Sequence, residues 1–433
     1  MESELDSLLI QAKVSEGADS ETFIAAHLSL AKHYIELGAV EEAANICDKV
    51  LDEQYGVRNF YSVRTLELLE FAIETNLLAC RYFVANDCLF QFAACAKCLM
   101  EDRIIQNQLF SFFVNSGLGL IIPAKEHALS FKKSLEAVDK VDIRNFAIYQ
   151  LINSSLGLIE IEFANFQLAS ELVFNSYSSL KRQFESLEPG NEEYMFVLKI
   201  YTSILLNVSF ALIKIDRLGD AKSFLETSNE MLLKQALPTS KLYFNFRETL
   251  ESEIMLKENR LLEAGAKIAN LLKSISHYSE QFAVGFFYTY LIAGDLESKK
   301  GNFILACEYY EKVFSLLTKY THKLNFNLVD TSMKLSMTWF RLGNKEAASK
   351  YGREAVGLSR SIFGESSQKH IEASMNLANL ISAYGFPEEG LEMMYIVQKR
   401  ISESLSPDHS LLNAVKQNIQ MIKDLIVKHS HEN

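Results

Sequence analysis

A chain of 433 residues with 55 acidic and 43 basic side chains carries a formal net charge of −12. This charge disfavours nucleic acid as a partner, because non-specific binding to it needs clustered lysine and arginine. The five prolines fit an all-helical protein, and an apolar share of 48% is enough for a continuous core between stacked helices. No uncharged apolar stretch long enough for a membrane span stands out, and the acidic N-terminus lacks the features of a signal peptide. A cytoplasmic location, with the nucleus as the alternative, is expected.

Residues 1–20 are polar and are predicted to form a loose N-terminal cap. After them, a small residue recurs within a similar phrase of helix, turn and helix. The recurring residues are Ala43, Ala85, Ala169, Ala221, Ala264, Ala306, Ala348 and Gly390, with His127 beside Ala128 at the midpoint of the longest gap. The last three intervals are 42 residues each. A fixed period of this length is typical of a solenoid.

The turn phrase is clearest at Gly38, Gly301 and Gly343, each five residues before a recurring alanine. Glycine at a helix end takes the left-handed conformation without steric cost. Apolar residues at helical spacing lie on both sides of each turn, so two amphipathic helices are predicted per repeat. In the middle repeats the turn position is assigned to Cys80, Ile122, Ala164, Asp216 and Asn259.

These features resemble the tetratricopeptide repeat. The small residue at the eighth position of that repeat is matched by Ala31, Gly157, Gly294 and Ala378. The 42-residue period and the phrase Leu358–Glu365, followed by Asn376-Leu377-Ala378, are similar to the kinesin light chain type. The resemblance implies an all-α fold, a right-handed superhelical solenoid of about nine antiparallel helical hairpins. It does not by itself imply a kinesin-like function.

The repeats fall into two predicted blocks, residues 21–178 and 194–405. Between them, the insertion at 179–193 shifts the spacing by ten residues, and Pro189-Gly190 marks a turn. We therefore predict a bend there. Residues 406–433 contain one further amphipathic helix, predicted to cap the open end of the stack, and a frayed tail.

Four of the six cysteines, Cys80, Cys88, Cys95 and Cys98, lie close together in sequence. A C-x-x-C pair is compatible with zinc binding. The same residues at helical spacing also fit small apolar side chains buried in a core, and the pattern favours this second interpretation. No nucleotide-binding, zinc-protease or nucleophile-elbow motif is present. We predict no enzymatic activity and no cofactor.

The resemblance also implies that the first helix of each hairpin lines a concave groove. The groove positions carry over to Phe210, Lys214, Glu253, Lys257, Asp295, Lys299, Met337, Phe340, Arg341 and Asn379. The four basic residues recur at one position in successive repeats. They fit either a track for an acidic or C-terminal carboxylate peptide or cations that complement helix ends. Asn379 can hydrogen-bond a peptide backbone, or it is simply solvated.

A solenoid with such a groove predicts a non-enzymatic adaptor or scaffold that binds a partner protein or peptide. Two alternatives remain open at this point. One is a peptide-responsive regulator that switches by compaction of the solenoid, and the other is a structural subunit of a large assembly.

Overall fold

The described part of the chain is helical, and no strand occurs within it. In this computed structural model, the described residues are 7–8, 10–11, 14–15, 20–54, 62–99, 103–137, 142–235, 240–404 and 410–432. The helices are α1 (Ser20–Glu36), α2 (Val40–Gln54), α3 (Val63–Leu78), α4 (Tyr82–Leu99), α5 (Ile104–Leu118), α6 (Ile121–Glu136), α7 (Ile143–Glu162), α8 (Phe166–Phe184), α9 (Glu192–Lys214), α10 (Leu218–Gln235), α11 (Ser240–Lys257), α12 (Leu261–Ile275), α13 (Phe287–Lys299), α14 (Phe303–Tyr320), α15 (Asn327–Arg341), α16 (Lys345–Phe363), α17 (Gln368–Ala383), α18 (Pro387–Ser404) and α19 (Ser410–Glu432). A short 3₁₀-helix, Phe282–Phe286, precedes α13.

Each odd-numbered helix from α1 to α17 packs against the helix that follows it, and many odd-numbered helices also contact the next odd one. The last helix, α19, packs on α18 through Val415, Ile419 and Ile422. The predicted all-α solenoid with a terminal capping helix is therefore confirmed. Its right-handed sense and its count of nine hairpins stay predictions.

A residue with left-handed backbone stands between the two helices of each pair. These residues are Gly38, Cys80, Gly119, Ala164, Asp216, Asn259, Gly301, Gly343 and Gly385. At Asn259 (φ 63°), for example, the amide of Asn259 donates to Leu256 O and that of Arg260 to Met255 O, at 3.2 and 2.8 Å. This Schellman arrangement satisfies carbonyls left free at the end of the first helix and reverses the chain.

The third turn is not where the sequence pattern placed it. Ile122 lies inside α6, and the left-handed residue is Gly119 (φ 75°). The small buried residue five positions later is Ala124, so the assignment to His127 and Ala128 is wrong. The mainly apolar segment 107–123 resembles one core helix in the sequence and hides the turn. Glycine is also required at position 119 for steric reasons, because a Cβ there would overlap the side chain of Asn325.

The predicted insertion is divided between longer helices and an exposed turn. α8 ends at Phe184, and α9, which is 23 residues long, begins at Glu192 after Gly190 (φ 94°). The ring of Phe184 stacks on Tyr194 and Tyr201, with centroids 4.9 and 5.0 Å apart, so the core continues across this point. The bend remains a prediction.

Among the described residues, only α9 is long and apolar enough to cross a membrane by composition. Of its apolar window, 72% is buried against neighbouring helices, as is typical of a core helix.

The superhelix closes on itself, because the C-terminal ends of α5 and α7 and the turns after them touch segments far along the chain. The amides of His322 and Phe326 donate to Leu118 O and Gly119 O, at 3.2 and 3.1 Å. The rings of Phe163 and Phe363 meet edge to face, 5.4 Å apart. Together these contacts form the closure interface. The odd-numbered helices α5 to α17 consequently surround a common space.

Candidate functional site

A cavity of about 880 Å³ lies inside the closed superhelix. The odd-numbered helices α5 to α17 supply most of its lining, and Ile121 and Ala124 of α6 and Phe166 of α8 also contribute. Its volume lies in the range of pockets that enclose a small ligand or a few peptide residues. Phe113, Leu158, Phe287, Leu291 and Met333 contribute to an apolar wall. The repeat geometry therefore brings one face of each of these helices into a single site.

The first polar cluster of the cavity joins α9, α11 and α13. Lys214 Nζ donates hydrogen bonds to Glu253 Oε1 (3.1 Å) and to the Tyr288 hydroxyl oxygen (2.8 Å), and Tyr288 OH donates to Glu253 Oε2 (2.6 Å). The ammonium also lies 4.7 Å from the ring centroid of Phe210, a cation–π distance. Loss of solvent and then the Glu253 carboxylate raise the pKa of Tyr288 well above its usual value, so the phenol stays a donor.

The second polar cluster joins α13, α14 and α15. Asp295 Oδ1 accepts hydrogen bonds from Lys334 Nζ at 2.5 Å and from Tyr310 OH at 2.7 Å. Burial raises the pKa of Tyr310, and the nearby Asp295 charge raises it further. The Tyr310 phenol thus stays a donor to Asp295.

The third polar cluster joins α15, α17 and α7. Lys369 Nζ donates to both oxygens of Asp330, at 2.9 and 2.7 Å, and lies 3.1 Å from Glu162 Oε2. Burial alone would lower the pKa of Lys369, but the two carboxylates outweigh it and raise it. Burial raises the pKa of Glu162, while Lys369 lowers it and Asp330 raises it. This cluster bridges early and late repeats and belongs to the closure interface.

Five of the ten predicted groove residues line the cavity: Phe210, Lys214, Glu253, Asp295 and Met337. The structure brings them together from four odd-numbered helices. The other five, Lys257, Lys299, Phe340, Arg341 and Asn379, lie outside the cavity lining.

The four recurring basic residues, Lys214, Lys257, Lys299 and Arg341, are called the basic stripe. Some of them donate hydrogen bonds to acceptors of the chain itself. Lys257 Nζ donates to Ile213 O at 2.9 Å, and Lys299 Nζ donates to Leu256 O at 2.8 Å. Each lysine thereby satisfies a carbonyl at the end of the preceding odd-numbered helix. Partner binding by the stripe stays a prediction.

Several charged residues of the cavity were not found from the sequence, namely Asp330, Lys334, Lys369 and Glu372. A signal for some of them exists. Lys214 with Glu253, Asp295 with Lys334, and Asp330 with Lys369 are opposite charges 39 residues apart. Opposite charges at nearly one repeat period indicate contacts between neighbouring repeats.

The clustered cysteines pack in the protein interior rather than around a common centre. Cys80, Cys88 and Cys95 are buried and Cys98 is exposed. Cys80 belongs to an apolar cluster with Phe282 and Phe286. Within the described ranges, no three His, Cys, Asp or Glu side chains are placed to hold a metal ion.

No family model and no curated protein matches this chain. Solved structures do match. A Rap protein complexed with competence and sporulation factor aligns over 85% of this chain and 99% of its own, at 10% identity and a TM-score of 0.50. A tetratricopeptide repeat protein from Parabacteroides merdae covers 74% of this chain and 99% of its own, at 10% identity and a TM-score of 0.37. A human IFIT1 dimer with m7Gppp-AAAA covers 95% and 82%, at 11% identity and a TM-score of 0.45.

The fold is thus that of the tetratricopeptide repeat solenoids, as the sequence resemblance implied. The finer similarity to the kinesin light chain type stays a prediction.

Proposed function

We propose that this chain is a non-enzymatic interaction protein that holds a peptide, or an extended segment of a partner protein, inside its cavity. The observation that carries the proposal is the cavity of about 880 Å³, lined mainly by the odd-numbered helices α5 to α17, with an apolar wall and charged clusters. Apolar walls with a few placed polar groups are typical of binding pockets. The Rap protein of similar fold was solved with a second molecule, which supports the same use of the fold here.

A protein or peptide partner is also favoured over nucleic acid by charge. The chain has a net charge of −12, and five carboxylates but only three lysines line the described cavity. Phosphate groups would be repelled by this balance. Cytoplasmic location is part of the same proposal.

A regulator that switches by compaction is the second candidate. It is favoured by the position of the Glu162–Lys369 ion pair, which lines the cavity and also bridges α7 and α17. An occupant that touches this pair acts directly on the closure interface.

Blocking the cavity tests the proposal. Met337 and Asn376 are exposed residues of the cavity lining, so the double variant Met337→Trp/Asn376→Trp fills space without breaking the core. Tagged full-length protein is used for affinity purification with quantitative mass spectrometry. The double variant should lose the partners recovered by the wild type. Leu262→Trp, at a site that is 89% exposed and away from the cavity, is the control and should retain them. Equal recovery by all three proteins would place the binding surface elsewhere.

A further inference from the structure

The charges that line the cavity do not balance. The carboxylates are Glu162, Glu253, Asp295, Asp330 and Glu372, and the ammonium groups are Lys214, Lys334 and Lys369. Lys214 pairs with Glu253, and Lys334 pairs with Asp295. Lys369 forms ion pairs with both Asp330 and Glu162. The excess negative charge therefore lies at one end of the cavity, between α7, α15 and α17.

Glu162 shares the ammonium of Lys369 with Asp330. Both hydrogen bonds from Lys369 Nζ go to Asp330, at 2.9 and 2.7 Å. Glu162 Oε2 is buried and lies 3.1 Å from the same ammonium, which is poorly aligned for a hydrogen bond to it. A carboxylate can accept several hydrogen bonds, so one shared ammonium leaves Glu162 with unused capacity. A donor group that enters the cavity would use this capacity.

Glu372 adds a further carboxylate on the same wall. It stands one helical turn after Lys369 on α17, and positions three apart share a helix face. Its Oε1 accepts a hydrogen bond only from the neutral amide of Gln368, at 2.8 Å. In the described residues around the cavity, no lysine is paired with it.

The remaining lining explains what kind of cation fits. Phe112, Phe113, Leu158 and Ile159, on α5 and α7, line the same cavity and contribute apolar surface. A long side chain can bury its aliphatic stem along such a surface and present its charge at the end. Guanidinium suits two separate carboxylates better than ammonium, because its five donors form a planar fork.

We propose that the cavity recognises a peptide segment carrying an arginine side chain, whose guanidinium binds between Glu162, Asp330 and Glu372. This inference rests on the proposed function and makes it specific. It replaces the acidic partner suggested by the basic stripe with a basic one, because the stripe lysines Lys257 and Lys299 donate to backbone carbonyls, whereas the carboxylates of the cavity outnumber its lysines.

A pooled library of capped heptapeptides, with all residues equally represented, tests this on the immobilised full-length chain. Retained peptides are sequenced by mass spectrometry. Arginine should be enriched by about tenfold or more over citrulline, its neutral isostere included in the library, because a charge-assisted hydrogen bond contributes about 1.5–3 kcal/mol. Enrichment of acidic or neutral peptides, or retention of no peptide at all, would overturn the inference.

Two variants complete the test. Glu162→Gln/Glu372→Gln keeps the shape of both side chains and should abolish the preference for arginine. Glu388→Gln/Glu392→Gln removes two exposed charges from α18, away from the cavity, and should keep it. Thermal melting followed by circular dichroism confirms that all proteins are folded. If peptides are retained without an arginine preference, and Met337→Trp/Asn376→Trp loses them, the proposed function stands and the inference fails.

Discussion

The alanine five positions after each left-handed residue lies directly against the first helix of its pair. Ala306 and Ala348 are fully buried, and at the equivalent Gly390 a Cβ would come within 2.6 Å of Ala378 O. At these points the size of the small residue at the start of the second helix sets the distance between the two helices of a pair. The short distance between the paired helices is therefore encoded by single residues.

Enlarging this residue should separate the helices or strain them. We expect Ala306→Leu and Ala348→Leu each to lower the free energy of unfolding by about 1–3 kcal/mol, the usual cost of overpacking. Chemical denaturation of the purified proteins measures this. Ala266→Leu, on the exposed face of α12, is the control and should leave the midpoint unchanged. Wild-type midpoints for the first two variants would contradict the assigned contact.

Four of the left-handed turn residues are not glycine, and Ala164 (φ 61°) has no side-chain group that could compensate. The left-handed conformation costs an L-residue about 1–2 kcal/mol of folding free energy, and glycine avoids this cost. Glycine also makes the unfolded chain more flexible, which offsets about 0.4–1 kcal/mol of the gain. We expect Ala164→Gly to stabilise the protein by about 0.5–1 kcal/mol. Ala269→Gly, inside α12, should instead destabilise it by about the same amount. Thermal melts that move in the same direction for both variants would refute this.

At the scale of the helices, neighbouring repeats are joined by lysines that reach back one repeat. Lys257 and Lys299 extend from the ends of α11 and α13 to carbonyls at the ends of α9 and α11. Each places a positive charge at the negative end of the preceding helix dipole. The recurrence of lysine at this position thus has a structural basis.

Removing this contact should have a modest effect on stability. We expect Lys299→Met to destabilise by about 0.5–1 kcal/mol, since the ammonium is lost while the aliphatic stem is kept. Urea denaturation at low ionic strength is the measurement. Lys416→Met, on the exposed face of α19, should show no change. An unaltered midpoint for Lys299→Met would mean that water satisfies the Leu256 carbonyl equally well.

Most helices and turns of this fold were predictable from the sequence, because glycine and small residues mark them locally. The third turn was missed because Gly119 stands within an apolar run. The cavity was only partly predictable. Positions near the turns, such as Lys214 and Asp295, follow from the repeat, whereas Glu162 and Lys369 meet only because the superhelix closes. Contacts of that kind depend on curvature summed over several repeats, which no local pattern reports.

At the scale of the whole molecule, the insertion is an exposed connection between α8 and α9. Residues 185–191 contain a Pro-Gly turn, and most of their side chains are exposed. We expect subtilisin at low concentration to cleave this segment before the tight turn at Gly343, which has helix on both sides. Mass spectrometry of early fragments identifies the sites. Cleavage at Gly343 with residues 185–191 intact would contradict the assignment of an exposed connection.

The closure interface has a consequence for how the chain reaches its native state. In an open solenoid each repeat contacts only its neighbours, so folding can spread from any point and stability is a sum over adjacent units. Here Ser279 hydrogen-bonds Glu41 across 238 positions, and Lys369 meets Glu162. On the ribosome, the early repeats must wait for partners synthesised much later, and closing such long loops slows folding. Until then Ile121 and Phe163, which pack in a shared core with Val313 and Leu328, lack their partners. The emerging chain therefore carries an unprotected apolar surface until the segment around Val313 and Leu328 has been synthesised.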